Sequence, residues 1–296
     1  MKEKLKGSLL LAFATVIWGS AFVAQSAGMD LIGPFTFQTV RCLLAVIVLI
    51  PVIFLLDGKN RKNFMGKWAD KKLWRSGILC GIALFFAQSL QQVGLVYTDA
   101  GKAGFITAMY IVIVPILGIF FKRKPTVAAV ISIFLAVVGL YLLSCVGVTQ
   151  INIGDVLMLL CAVAFALQIT VVDRLAGELD SIRLNCIQSI VVTVLSAVFM
   201  LFTEKPQIQP IVDCWLPLCY AGVLSMGVAY SLQIVGQKSL EPTTASLIMS
   251  LESVFAVITA WLILNERLNA WETAGCILVF SAVILSQIPF KAKQRV

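Results

Sequence analysis

The sequence predicts an all-α membrane protein with ten transmembrane helices in two inverted five-helix repeats, residues 1–147 and 148–296. Three observations carry this prediction. Hydrophobic side chains make up 60% of the 296 residues and charged ones only 13%, too few solvating groups to surround a soluble core. Ten apolar runs, each near the roughly 20 residues a helix needs to cross the hydrocarbon layer, are separated by charge, proline or glycine. The two halves also share a faint internal similarity.

The spans of the first half are expected near Ser8 to Gln25, Phe35 to Leu56, Leu73 to Val96, Gly101 to Phe121 and Thr126 to Ser144. Those of the second half fall near Gly154 to Val172, Ile182 to Phe202, Trp215 to Val235, Thr243 to Leu264 and Trp271 to Ile288. The basic run from Lys2 to Lys6 ahead of the first apolar stretch resembles a signal peptide, but no small-residue cleavage site follows, so this segment is expected to stay as a helix.

Lysine and arginine distribution sets the orientation, because cytoplasmic loops carry their excess. With the amino terminus inside, nineteen of the 23 basic residues fall on cytoplasmic segments, including Lys59, Arg123, Lys124, Arg174, Arg183 and Lys238. Lys102, Lys205 and Arg267 face the other side, and Arg41 lies within a span. Both termini are therefore expected in the cytoplasm, in a plasma (inner) membrane. The formal charge of +8 is explained by this topology and calls for no nucleic acid.

Several chemistries are excluded. Histidine is absent, which removes imidazole relays, Ser-His-Asp triads and His-ligated metals. The eight cysteines show no metal-ligand spacing and read as small core hydrophobes. No G-x-x-x-x-G-K-[ST] phosphate loop occurs, so no nucleotide is expected to drive the protein, and no cofactor is called for.

The internal similarity aligns Gly81 with Gly222 and Gln92 with Gln233 at a shift of 141, and Gln38 with Gln188 at 150. A shift of 142 sets Ala103 on Ala245, Ile106 on Ile248, Val112 on Val254 and Ser144 on Ser286. Five spans per repeat is an odd number, so the second repeat enters the membrane from the opposite side to the first. Such a pair can expose one central site to either face in turn, which is the geometry of a secondary transporter rather than an enzyme.

Motifs carry a resemblance. The first span reads Trp18-Gly19-Ser20-Ala21-Phe22-Val23-Ala24, and the fourth runs from Gly104-Phe105-Ile106-Thr107 to Val114-Pro115. Together with Phe165-Ala166-Leu167-Gln168, Asp173-Arg174, Leu251-Glu252-Ser253-Val254-Phe255-Ala256 and Asn265-Glu266-Arg267-Leu268, these resemble the EamA-like family of the drug/metabolite transporter superfamily over essentially the whole chain. The resemblance implies ten helices, a central cavity, and export or exchange of small organic metabolites such as amino acids or related amphiphilic solutes, or of cationic drugs. A passive facilitator is the alternative class. Where that family often has proline after the ninth-span glutamate, this chain has Ser253, which places a kink there in doubt.

Ionisable groups at membrane depth are costly, about 2.5–3.5 kcal/mol each on insertion scales, and so mark candidate sites. Glu252 lies near the midplane, suited to bind a substrate amine or a coupled proton, or to hold the bundle by hydrogen bonding. Arg41, about two turns below the outer end of its span, suits a substrate carboxylate or a structural ion pair, with Glu252 or another acid. Lys102 and Asp99 read as exposed. Gln88, Gln91 and Gln92 cluster in the third span, and Tyr230, Gln233 and Gln237 form one stripe of the eighth. Tyr110 falls opposite Glu252 under the 142-residue shift, and Gln168 and Trp18 complete the expected substrate-binding ring. Each glutamine is open to a plain inter-helix role, and Trp18 beside Gly19 and Ser20 to plain packing. Pro115 is the expected hinge. The expected partners are a small-molecule substrate and the lipid bilayer, and a monomer is compatible with this architecture.

Overall fold

The computed structural model describes residues 2–57, 61–98, 100–123, 125–144, 152–264 and 269–287. Asp99, Lys59, Lys124, Cys145, the Asn265 to Leu268 motif and the basic residues beyond Gln287 lie outside them. The described residues are helical throughout their length apart from short connections, with no strand among them.

In chain order the helices are α1 (Lys2–Met29), α2 (Pro34–Leu56), α3 (Arg61–Trp68), α4 (Lys71–Gly94), α5 (Ala100–Ala108), α6 (Tyr110–Phe120) and α7 (Val127–Ser144). The second half holds α8 (Ile153–Leu175), α9 (Ser181–Thr203), α10 (Ile208–Asp213), α11 (Trp215–Cys219), a π-helical segment Tyr220–Ala229, α12 (Tyr230–Gln237), α13 (Pro242–Met249), α14 (Leu251–Leu264) and α15 (Ala270–Gln287). Among the described residues nine helical stretches are long and apolar enough to cross a membrane. The expected fifth span, α7, carries a shorter apolar stretch, Val127–Leu142.

Polar caps start the helices where the apolar runs begin. Asp70 accepts from Lys72 N at 2.8 Å, Asp180 from Ile182 N and Arg183 N at 3.1 Å each, and Asn152 with Asp155 forms a reciprocal capping box at α8. Pro34 and Pro242 open α2 and α13, positions where a missing N–H costs nothing. The outer faces stay apolar: Leu5, Phe120, Leu201 and Phe202 are among many large hydrophobic side chains left exposed, a surface suited to lipid.

Packing joins the halves. α1 lies against α14 and against α12 with its π segment, α8 lies against α4 and against α5 and α6, α2 pairs with α9, and α7 with α15. Two of these crossings are backbone to backbone. A Cβ on Gly7 would stand 2.9 Å from the carbonyl oxygen of Gly236, and one on Gly154 2.9 Å from that of Gly94. Only glycine allows helices this close.

One end of the bundle gathers the start of α1, the end of α2 and the end of α15, where Ser8 Oγ donates to Gln287 Oε1 at 3.1 Å. At that end the buried Arg183 bonds Asp57, and Lys67 Nζ reaches the same carboxylate at 2.8 Å. The Lys67 ammonium, with Arg183 beside it, holds the Asp57 carboxyl below the usual carboxylate range. At the opposite end Glu204 receives Phe35 N and Thr36 N at 2.8 Å each and Thr36 Oγ1 at 2.6 Å, so α2 and α9 are tied at both ends.

Three spans are interrupted. The expected hinge, Pro115, sits inside α6, and the helix assignment is interrupted upstream of it, at Met109. Proline frees the carbonyl one turn ahead of it, and the backbone upstream tightens to three-residue bonds, Met109 N to Ile106 O at 3.1 Å and Val112 N to Met109 O at 3.0 Å. The ninth span breaks at Ser250 without any proline. There Ser250 Oγ donates to Leu247 O at 2.7 Å and Ser253 N to Ser250 O at 3.3 Å, so serine chemistry supplies the interruption. The eighth span passes through the π segment just after Pro217.

Candidate functional site

The two helix breaks meet at the centre. Tyr110 is the first residue of α6 and Glu252 the second of α14, and Tyr110 Oη donates to Glu252 Oε1 at 3.1 Å. Gly19 sets the approach of the first span to this point: a Cβ there would stand 2.6 Å from Phe255 Cβ and 2.7 Å from the Glu252 carbonyl oxygen. The neighbouring Trp18 is thereby held in the interior, edge-on to Tyr230 with ring centroids 5.0 Å apart.

Around these groups lies a partly open cavity, with about 490 Å³ of space free of protein atoms at and around it, walled by Trp18, Phe22, Gln25, Arg41, Gln88, Gln91, Tyr110, Phe165, Ile169, Ser225, Tyr230, Gln233, Met249 and Glu252. Both halves of the chain contribute to it. Trp18, Gln88, Tyr110, Tyr230, Gln233, Glu252 and Arg41, all singled out from the sequence, are on its wall. Gln92 and Gln168 are not. Gln92 turns away to donate to Met29 Sδ at 3.0 Å, and Gln168 stands one layer behind, where its Oε1 accepts from Gln233 Nε2 at 3.2 Å. Gln91 takes the wall position in the third span, since residues one apart on a helix point about 100° apart. The π segment matters here: Ser225 and Tyr230, five residues apart, both reach the cavity, as a wider helical turn permits.

Arg41 and Glu252 share the cavity but form no ion pair with each other, and among the described residues no carboxylate lies within 4.0 Å of Arg41. Packing explains the separation: the guanidinium is drawn to Gln25 Oε1 through Nη1 and lies 5.7 Å from the Phe37 ring, while Glu252 is drawn to Tyr110. Trp18 Nε1, Arg41 Nε, Arg41 Nη2, Gln168 Nε2 and Gln233 Oε1 are buried with no hydrogen-bond partner.

The reading of Lys102 as exposed does not hold. Its Nζ meets Asp155 Oδ2 at 2.6 Å, and the Asp155 carboxylate also accepts from Thr98 Oγ1 and Asn152 N at 2.9 Å each. The two side chains are 13% and 8% exposed, so the pair closes the bundle at the end opposite Ser8. At the Ser8 end a depression of about 1120 Å³ opens instead, bordered by Val114, Arg123, Thr126, Asp173, Thr243 and Ser286. Arg123 Nη1 and Asp173 pair there at 2.7 Å. Among the described residues no three Cys, Asp or Glu side chains come together as a metal site.

With the geometry in view, comparison with known proteins adds the kinship. The profile of the EamA-like transporter family matches twice, over residues 5–145 and 152–287. An "Uncharacterized transporter" of Archaeoglobus fulgidus is 34% identical over 290 residues, covering 96% of this chain and 86% of that protein. The "Uncharacterized transporter YoaV" of Bacillus subtilis is 20% identical, covering 98% and 99%. A crystal structure 15% identical to this chain superposes with a TM-score of 0.77, covering 95% of this chain and 96% of that one, a likeness of fold.

Proposed function

The chain belongs to the EamA-like transporter family, and from that premise we propose that it is a secondary transporter of small organic solutes, such as amino acids or related amphiphilic compounds, working by alternating access between two inverted repeats, 1–147 and 148–296. The observation that carries this reading is the cavity, built jointly by both halves around Tyr110 and Glu252 at two matched helix breaks. Its wall supplies one cation, one acid, several amides and five aromatic side chains, a set suited to a small amphiphilic solute. The ring of Trp18, Gln88, Tyr110, Tyr230, Gln233 and Glu252 contacts the solute, with Gln92 and Gln168 positioning their neighbours.

Inverted symmetry is supported by the packing. Under exchange of repeats, the crossing of α1 with α12 becomes that of α8 with α4, and the crossings of α1 with α13 and α14 become those of α8 with α5 and α6. Gly7 maps to Gly154 and Gly94 to Gly236, so the two glycine crossings are counterparts at opposite ends of the bundle. Two opposite-facing copies of one contact are what alternating access requires. The Ser8 end collects Lys67, Arg123, Arg174 and Arg183, a basic excess that supports a cytoplasmic position for it in a plasma (inner) membrane, with both chain ends on that side. The depression there and the Lys102–Asp155 closure opposite fit a conformation reached from inside.

The test is counterflow with purified protein in liposomes. Solute trapped inside should accelerate uptake of the same labelled solute severalfold; uptake indifferent to trans solute would make the protein a passive facilitator and sink the carrier reading. The aromatic wall around Glu252 also favours a second reading, efflux of cationic amphiphiles, distinguished by which solutes show counterflow.

A further inference from the structure

We propose that Arg41 is the anion site of the cavity, and that its Nε–Nη2 edge receives the carboxylate of the transported solute while Glu252 faces the solute's cationic end. The inference rests on the transporter reading and names the substrate class of its cavity.

Arg41 is 2% exposed and sits within the second span, where a cation must be compensated. The protein compensates it incompletely. Gln25 Oε1 takes Nη1, the Phe37 ring lies 5.7 Å away, and Nε and Nη2 are buried without a hydrogen-bond partner. Those two are not an arbitrary pair of donors. Nε–H and one Nη2–H run parallel along a single edge of the planar guanidinium, the fork that matches the two oxygens of a carboxylate. Gln25 holds the remaining nitrogen, and Arg41 and Gln25 both line the cavity.

The eighth span packs on the backbone at this point, where a Cβ on Gly222 would stand 2.7 Å from the Arg41 carbonyl oxygen. Its counterpart in the first half is Gly81, which packs on Val191 of the seventh span, 2.7 Å from Cβ to Cβ. Valine thus fills in one repeat the place that arginine fills in the other.

Charge sets the rest of the ligand. Arg41 comes from the first repeat and Glu252 from the second, where its counterpart is the uncharged Tyr110. One cation and one carboxyl group in a single cavity complement a carboxylate-bearing zwitterion; a dianionic phosphate would find one cation and no second one.

Thermal unfolding of the purified full chain against a panel of simple probes tests this. The probes are the common L-amino acids, their primary amides, the matching amines and the matching amine-free carboxylates. At least one amino acid should raise the melting temperature, with its amide and amine inert at the same concentration. Arg41→Lys should weaken that acid about tenfold or more, since a point charge lacks the fork. Arg41→Val, patterned on Val191, should stay folded and lose the response. Amides or amines as effective as acids, a response that survives Arg41→Val, or no response to any carboxylate would overturn the assignment. The comparison of acid with amide on the unaltered protein decides the matter even where a variant fails to fold. Failure of counterflow, by contrast, would sink the transporter reading while leaving carboxylate binding in place.

Discussion

Asp155→Asn isolates the closure at the Lys102 end of the bundle, the outer end in the proposed topology. The Asp155 carboxylate holds Lys102 Nζ at 2.6 Å, Thr98 Oγ1 at 2.9 Å and Asn152 N at 2.9 Å, so it ties together the third, fourth and sixth spans. Asparagine retains one acceptor and the helix start, because the Asn152 Oδ1 bond to residue 155 N, 3.0 Å long, does not involve the side chain at 155. What disappears is the charge opposite Lys102. At a membrane boundary, where water screens the pair, that loss is worth about 1–2 kcal/mol. The same energy shifts the ratio of outer-open to outer-closed molecules by roughly 5- to 30-fold. In a cysteine-free background with Ser225→Cys as the cavity reporter, a membrane-impermeant maleimide applied to right-side-out vesicles reads that ratio as a labelling rate. Asp155→Asn should raise the rate by this factor. High salt should raise it in the parent and leave the variant unchanged. Equal rates in parent and variant would refute the view that this pair is a closure.

Glu252→Gln should leave the protein folded, because the amide oxygen can still accept from Tyr110, yet transport should lose its dependence on pH over about pH 5 to 8; wild-type behaviour across that range would reduce Glu252 to a structural group. Gly19→Ala should destabilise the protein by about 1–3 kcal/mol in reversible detergent unfolding, because the added methyl meets backbone of the ninth span that cannot rotate away. Asp57 titrates below its ordinary range in the folded protein, so its contribution is complete above about pH 4 and fades as the pH falls through the lowered value. The melting temperatures of the parent and Asp57→Asn should accordingly differ at neutral pH and converge only in strong acid.

Much of the architecture was legible because the bilayer imposes a length on each apolar run, and α1, α2, α4, α8 and α9 fall where such runs lie. The 142-residue shift that set Tyr110 opposite Glu252 anticipated a hydrogen bond between residues far apart in the chain. Other features were invisible for identifiable reasons. Lys102 looked exposed because its partner is 53 residues away and sits at the head of a different span. Three glutamines within five positions gave no sign of which would face the cavity. The break at Ser250 carries no proline, and the π segment leaves no periodic mark, so Ser225 went unnoticed. Arg183 counted as one more loop cation although it is nearly fully buried against Asp57.

The four glycines at the paired crossings have a mechanical consequence. At each crossing main chain comes within van der Waals reach of main chain, flanked by side chains such as Ser239, Leu11, Met158 and Tyr97, so neither contact has room for a further atom. In the proposed alternating-access cycle, enlarging one of the four by a single methyl should therefore force apart the crossing at one face of the membrane and leave its counterpart at the other face unchanged.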